Sequence, residues 1–338
     1  MQPTVKTRLN RRTFPKWLRY PGLLMAWCLL LPLIKLLELL GRWPRSIPRG
    51  MQRMMGKFGS YQPDTHDVLI CSYFKSGTNW TMHIALQIAW RGTARFDHIH
   101  DLVPWAELPD RMRYTVPITD DSVWQESPTG LRIIKTHLPL EKIPYNTAAR
   151  YIWVVRDPKD VFVSSYHFVK STMLGPLMPP IQKWLDLFLS PDTPLGSWAG
   201  HLQGGWQNRR SDNLLFLTYE EMKRDLAGVV ARMADFMGVD LTPAELQRVV
   251  AQTSYTHMKG IAHKFDVPGG GAPWASGPGA MIRRGQAGVS HELISAADQR
   301  RIDDYWRAEL NRLNSDFPYD EAFAAAGRRR DQPPPGTP

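Results

Sequence analysis

The chain has 338 residues, 43% hydrophobic and 22% charged. That suits one large α/β domain or two small ones and excludes wholesale disorder. Two cysteines, Cys28 and Cys71, exclude a disulfide scaffold or a cysteine-based structural zinc site and read as thiols of a reducing compartment. The net charge of +10 is uneven: residues 1–57 carry 12 Lys or Arg against one acid, Glu38, whereas residues 58–338 carry 30 against 31. The basicity therefore belongs to the N-terminus, and a body this close to neutral is not expected to bind nucleic acid.

Residues 22–34, GLLMAWCLLLPLI, carry no charge, and the apolar run reaches 19 residues only by accepting Pro32, Lys35 and Glu38. A spanning helix needs about 20 apolar residues with few charges. Basic residues flank both ends, from Lys6 to Arg19 and from Arg42 to Lys57, so charge asymmetry gives no orientation. Both flanks suit an anionic cytoplasmic leaflet, and Trp17, Tyr20, Trp27 and Trp43 suit its headgroups. A segment lying on or dipping into the membrane is favoured over a true span and over a helix packed on the core. A secretory signal is disfavoured, because no small-residue cleavage site follows the run.

Beyond this segment, short apolar runs alternate with helical patterns, the signature of parallel βαβ units. Strands are predicted at Asp67–Ser72, Leu131–Thr136, Tyr151–Val155 and Asn213–Thr218. Helices are predicted at Thr78–Arg91, Pro158–Lys170, Ser197–Arg209, Glu220–Met237, Thr242–Gln252 and Ala296–Leu313, with a capping box at Thr242 and Glu245. The Gly- and Pro-rich stretch Gly260–Gly288 reads as a long loop, a candidate lid. The tail, residues 326–338, reads as disordered.

Three motifs carry chemistry. Ser72-Tyr73-Phe74-Lys75-Ser76-Gly77-Thr78-Asn79-Trp80 links a predicted strand to a helix, where backbone N–H groups and the helix dipole attract anions. It is not a regular Walker loop, since its lysine precedes the glycine. Arg156-Asp157-Pro158-Lys159-Asp160 again leaves a strand for a helix; Arg156 can fork onto a phosphate, and Ser164 lies two turns on. Lys135-Thr136-His137-Leu138-Pro139 ends an apolar strand, where a histidine can serve as general base beside a lysine. Read alone, each motif has a plainer alternative: a turn with a solvated lysine, an N-capping aspartate, a structural histidine.

In this order the motifs resemble the cytosolic-type sulfotransferases, which use 3′-phosphoadenosine-5′-phosphosulfate (PAPS). The resemblance runs from about Asp67 to Trp306. It includes Gly196-Ser197-Trp198, Tyr219-Glu220, Thr253-Ser254-Tyr255 and Arg283-Arg284-Gly285. The resemblance implies an α/β fold, a central parallel sheet flanked by helices in the P-loop nucleotide-binding-like arrangement, here preceded by an N-terminal hydrophobic helix. With the basic, apolar N-terminus read above as a membrane-associating segment 1–57, it implies a sulfotransferase domain over residues 58–325. By motif, Lys75, Ser76, Gly77, Thr78 and Asn79 would hold the 5′-phosphosulfate. Trp80, Tyr219, Thr253 and Tyr255 would form the adenine pocket. Arg156, Ser164, Arg283, Arg284 and Gly285 would bind the 3′-phosphate. His137 would be the base, with Lys75 and Lys135 assisting at the transferring group.

The sequence departs from the family pattern at Phe74, where proline is usual, at Asn79, where threonine is common, and at Gly288-Val289-Ser290, where Gly-Asp-Trp is usual. No metal is required, since lysine and arginine do the neutralising; His98 and His100, between Asp97 and Asp101, are the nearest candidate ligands. A P-loop kinase, a non-catalytic membrane-bound scaffold and a lumenal carbohydrate sulfotransferase are the competing readings. The expected acceptor is a small-molecule or lipid-like alcohol or phenol, met at the cytoplasmic face of a membrane.

Overall fold

Asp67–Ser72 (β1), Arg132–Thr136 (β2), Arg150–Val155 (β3) and Leu214–Thr218 (β4) pair in parallel in the order β2-β1-β3-β4. The computed structural model describes residues 16–39, 58, 61–108, 113–191, 193, 196–267, 271–275, 285, 287–288 and 290–324. Residues 1–15 and 40–57 of the expected membrane-associating segment, the expected tail 326–338, and Arg283 and Arg284 lie outside the described residues.

Both faces of the sheet are covered, which is why β1 and β2 are buried throughout and read as continuous apolar runs rather than as alternation. Val68 and Ile70 face one apolar layer with Met82, Leu86, Val229 and Met233. Leu69 and Cys71 face the other with Phe162, Leu202, Ile302 and Trp306. The first layer is built by α1 (Thr78–Ala89), α6 (Leu226–Phe236) and α7 (Pro243–Thr253). The second is built by α2 (Pro158–Val169), α3 (Ile181–Phe188), α4 (Trp198–Gln207) and α9 (Ala296–Arg312). The short helices α5 (Tyr219–Arg224) and α8 (Tyr255–Gly260) follow β4 and α7.

At the start of the sheet, Arg132 Nε bonds the Asp67 carboxylate at 2.8 Å, with both side chains buried. The same aspartate accepts from the Tyr61 hydroxyl. The two residues are opposite each other in the β1–β2 register, and removing one partner of a buried pair strands the other charge.

The predicted boundaries hold within a few residues, with two corrections. Glu220–Met237 is not one helix: Asp225, at φ −141°, breaks it and caps α6 by accepting from the Gly228 N–H at 2.8 Å. The stretch after Ser171 contains α3, hidden behind Pro176, Pro179 and Pro180; the last of these is the residue immediately before the helix. The Thr242–Glu245 capping box forms in both directions, at 2.9 and 3.3 Å.

Lys16–Leu39 is helical throughout, with a wide turn at Ala26–Leu30. Pro32 lacks an N–H and its ring crowds the carbonyl four residues back, so the turn before it opens. Ala26 and Ile34 are buried against Leu177, with Leu174 and Trp274 alongside. Trp17, Tyr20, Leu24, Trp27, Leu29 and Leu36 are exposed. No helix among the described residues is long and apolar enough to cross a membrane.

Candidate active site

The register places the last residues of all four strands along one edge: Cys71 beside Thr136, Ser72 beside Val154, and Val155 beside Thr218. From β1 the chain crosses to β2 on one side and then to β3 on the other. The carboxyl end of β1 is thus the switch point where an open parallel sheet accepts ligands.

The loop leaving β1 is shaped for an anion. Gly77, at φ 101°, caps α1 without any side-chain bond to the first turn, so the amides there face outward. Ser76 Oγ is buried with no hydrogen-bond partner among the described residues. Thr78 Oγ1 pairs with Ser72 Oγ at 2.6 Å, and Asn79 is half-buried on the first turn. A Cβ at Gly77 would lie 2.8 Å from Cδ2 of Tyr219. Gly77→Ala is therefore expected to lose about 1–2 kcal/mol of stability, read as a lower urea midpoint.

Lys75 is itself at φ 65°, a strained conformation for a side-chain-bearing residue, of the kind that clusters at functional sites. Its ammonium lies 4.3 Å from the Phe168 ring centroid and 5.9 Å from that of Phe74. Its carbonyl accepts from Arg156 Nη1 at 3.3 Å. Burial, reinforced by the Arg156 charge, pulls the Lys75 pKa down to about 7. A bound anion would restore the charge.

His137 lies just past β2. Its Nδ1 is 2.8 Å from the Ser72 carbonyl oxygen. A carbonyl can only accept, so Nδ1 carries the proton and, in the neutral ring, the lone pair is on Nε2. Burial, then the nearby Lys135 charge, holds His137 well below the usual histidine pKa. Lys135 sits with its ammonium 3.3 Å from the Trp105 ring centroid. Burial pulls its pKa down to about 7, with Glu107 opposing that shift and Lys75 adding to it.

Glu107 is a functional neighbour that the sequence did not reveal. Ala106 N–H donates to the Lys135 carbonyl at 3.0 Å, and Lys135 N–H donates to that of Pro104 at 2.9 Å, so residues 104–107 lie alongside β2. Glu107 accepts from Thr136 Oγ1 at 3.0 Å and from the His137 backbone N–H. Its other oxygen is buried with no hydrogen-bond partner among the described residues, and burial raises its pKa.

The predicted adenine residues converge. Trp80 Nε1 donates to the Thr253 carbonyl at 2.8 Å, and the Trp80 and Tyr219 rings meet edge-on at 5.6 Å. Lys223, absent from the sequence reading, places its ammonium 5.7 Å from the Trp80 centroid and 5.6 Å from that of Tyr255. The guanidinium of Arg156 lies 4.3 Å from the Tyr219 centroid. Asp160 accepts from Arg156 Nη2 at 3.4 Å and from the Gly288 N–H at 2.8 Å. Ser164 is half-buried one turn beyond Asp160 on the same helix face. Gly285, at φ 59°, lies so close to Tyr255 that a Cβ would fall 2.3 Å from its ring. The glycines of the predicted loop thus reach both the aromatic and the arginine sides of the site.

Trp198 donates from Nε1 to the Arg156 carbonyl at 3.1 Å, which fixes the end of β3. His98 and His100 are occupied by backbone: His98 Nε2 lies 2.9 Å from the Asp266 carbonyl oxygen, and His100 Nδ1 lies 2.8 Å from that of Val103. Among the described residues no group of three or more His, Cys, Asp or Glu is placed to hold a metal ion.

The model of the sulfotransferase domain family matches residues 65–314. Sulfotransferase 1C2 of Oryctolagus cuniculus is 28% identical over 273 residues, covering 78% of this chain and 89% of that protein. Sulfotransferase 2B1 of Mus musculus is 31% identical over 264 residues, covering 75% and 74%. Among solved structures, retinol dehydratase in complex with androsterone and inactive cofactor PAP matches with TM-score 0.62 at 21% identity, covering 81% of this chain and 88% of that one. A mouse sulfotransferase complexed with PAP matches with TM-score 0.61 at 24% identity, covering 83% and 94%. At these identities the structural matches speak for the fold.

Proposed function

From the premise that this chain belongs to the sulfotransferase family and is a PAPS-dependent enzyme, we propose that it moves the sulfonyl group to the hydroxyl of a lipid-like or small amphiphilic alcohol or phenol, with His137 as general base. The observation that carries the reading is the bond from His137 Nδ1 to the Ser72 carbonyl, which leaves Nε2 as the proton acceptor. The donor substrate supplies an activated S–O bond.

The acceptor oxygen bonds to sulfur, its proton passes to Nε2, and the S–O bond to the 5′-phosphate breaks with its electron pair on the bridging oxygen. Lys75 and the amides at the start of α1 receive that charge, as preorganised donors do. Ser76, whose buried hydroxyl lacks a partner, fits as a further donor with Gly77, Thr78 and Asn79. Lys135 holds the transferring group. Trp80, Tyr219, Thr253 and Tyr255 would enclose adenine, and Arg156, Ser164, Arg283, Arg284 and Gly285 the 3′-phosphate.

Residues 1–57, with their net charge of +11, would hold the enzyme on the cytoplasmic face of a membrane. The test is mass spectrometry of a lipid extract incubated with the enzyme and ³⁴S-labelled PAPS. A labelled sulfonate gain on an alcohol or phenol is expected, sustained in EDTA and absent with ATP plus Mg²⁺. Label appearing on amines alone would overturn the acceptor class.

A further inference from the structure

Among the described residues, eight of the nine large hydrophobic side chains that are exposed belong to the helical stretch Lys16–Leu39; Tyr145 is the ninth. So concentrated an apolar surface is a binding face rather than ordinary scatter. The opposite edge of the stretch is docked. Ala26 and Ile34 pack on Leu177, with Leu174 and Trp274 beside them, and Gly22 rests on Pro273.

The dock is tied to the domain by hydrogen bonds to main-chain carbonyls. Ala272 N–H donates to the Thr172 carbonyl at 2.8 Å, and Trp274 Nε1 to the Met173 carbonyl at 3.0 Å. Leu174 belongs both to this small cluster and to the large apolar layer that holds Phe74 and Phe168. Those two rings meet edge-on at 5.3 Å. Phe168 lies beside the Lys75 ammonium, and Phe74 faces His137 at 6.1 Å. Leu174 thus packs against the same apolar wall as the two rings beside the reacting groups.

We propose that the outer face of Lys16–Leu39 lies in the headgroup–acyl boundary of an anionic bilayer, and that the acceptor alcohol enters from that leaflet along the wall carrying Leu174. The occupant is argued from charge. The chain around this stretch is strongly cationic, +11 over residues 1–57. That complements an anionic lipid surface, at about 1 kcal/mol per basic residue near it. A second copy would instead bring two like-charged segments together across a symmetric interface. Trp and Tyr on the open face are the side chains that favour the water–lipid boundary.

The delivery half rests on the sulfotransferase reading; the docking half does not. Both are tested with the full-length protein, phosphatidylcholine vesicles with and without phosphatidylserine, a long-chain alcohol embedded in the vesicles, and a water-soluble phenol. Wild type is expected to float with the anionic vesicles more than with the neutral ones. The exposed triple variant Tyr20→Asp/Leu24→Asp/Trp27→Asp is expected to lose flotation and about tenfold of its turnover on the embedded alcohol, while keeping its turnover on the phenol. Leu174→Asn is expected to keep flotation yet lose turnover on the embedded alcohol more than on the phenol.

Retained flotation by the triple variant overturns the docking, as does a wild-type dimer that this variant converts to a monomer by light scattering. Equal loss on both acceptors in either variant overturns delivery from the leaflet. A wild-type protein that floats but sulfonates neither acceptor defeats the proposed acceptor class, and delivery with it, while upholding the docking.

Discussion

Replacing His137 with alanine is expected to lower kcat by about 10²–10⁴-fold, the range a general base supplies, with the affinity for adenosine 3′,5′-bisphosphate unchanged. Single-turnover kinetics and calorimetric titration separate the two readouts. The expectation follows from the ring's environment. The Ser72 carbonyl fixes the proton on Nδ1, and burial with the Lys135 charge keeps the ring neutral at pH 7. Because the histidine pKa is lowered, the base stays unprotonated through mildly acidic pH. The acid limb of kcat/KM is therefore expected well below the ordinary value of 6.5. A variant that still sulfonates acceptors at the wild-type rate would show that the proton leaves by another route.

Lys75→Met is expected to lower kcat by about 10²–10³-fold, the scale seen when one preorganised donor to developing charge is removed, and to weaken nucleotide binding as well. Steady-state kinetics against PAPS and titration with the product nucleotide test both effects. Lys75→Arg should not rescue activity, because a planar guanidinium does not replace a compact ammonium held 4.3 Å from the Phe168 centroid. The pH profile gives a second readout. Lys75 helps to push the Lys135 pKa down to about 7, so its removal raises that pKa, and the alkaline limb of the free enzyme moves to higher pH. An unmoved alkaline limb in Lys75→Met would argue that Lys135 does not govern it.

What the sequence made legible was local. Asp67–Ser72 reads as a fully buried strand because parallel sheets bury both faces, and the loop after it reads as an anion cradle because Lys75, Ser76, Gly77 and Thr78 are contiguous. The His137 strand end and the Arg156 turn were legible for the same reason. Glu107 was not: it reaches the His137 backbone only through residues 104–107 lying beside β2, a pairing across 30 positions that no periodicity announces. Phe168 and Lys223 were likewise invisible, since each reaches the site from near the far end of its helix. The break at Asp225 was missed because aspartate within an amphipathic pattern reads as a solvated face, although here it ends one helix and caps another. The helix Ile181–Phe188 was not expected, because the prolines before it interrupt any helical pattern, although the last of them leads directly into the helix.

Ser72 touches both halves of the chemistry: its carbonyl holds the imidazole, and its hydroxyl holds Thr78 at the start of the phosphate cradle. A single residue at the tip of a central strand is therefore a shared datum for the imidazole and for the anion cradle. Small drifts of that strand carry both stations together. Alignment is instead vulnerable to slippage between β1 and β2, the joint that the Asp67–Arg132 pair pins at the opposite end of the same two strands.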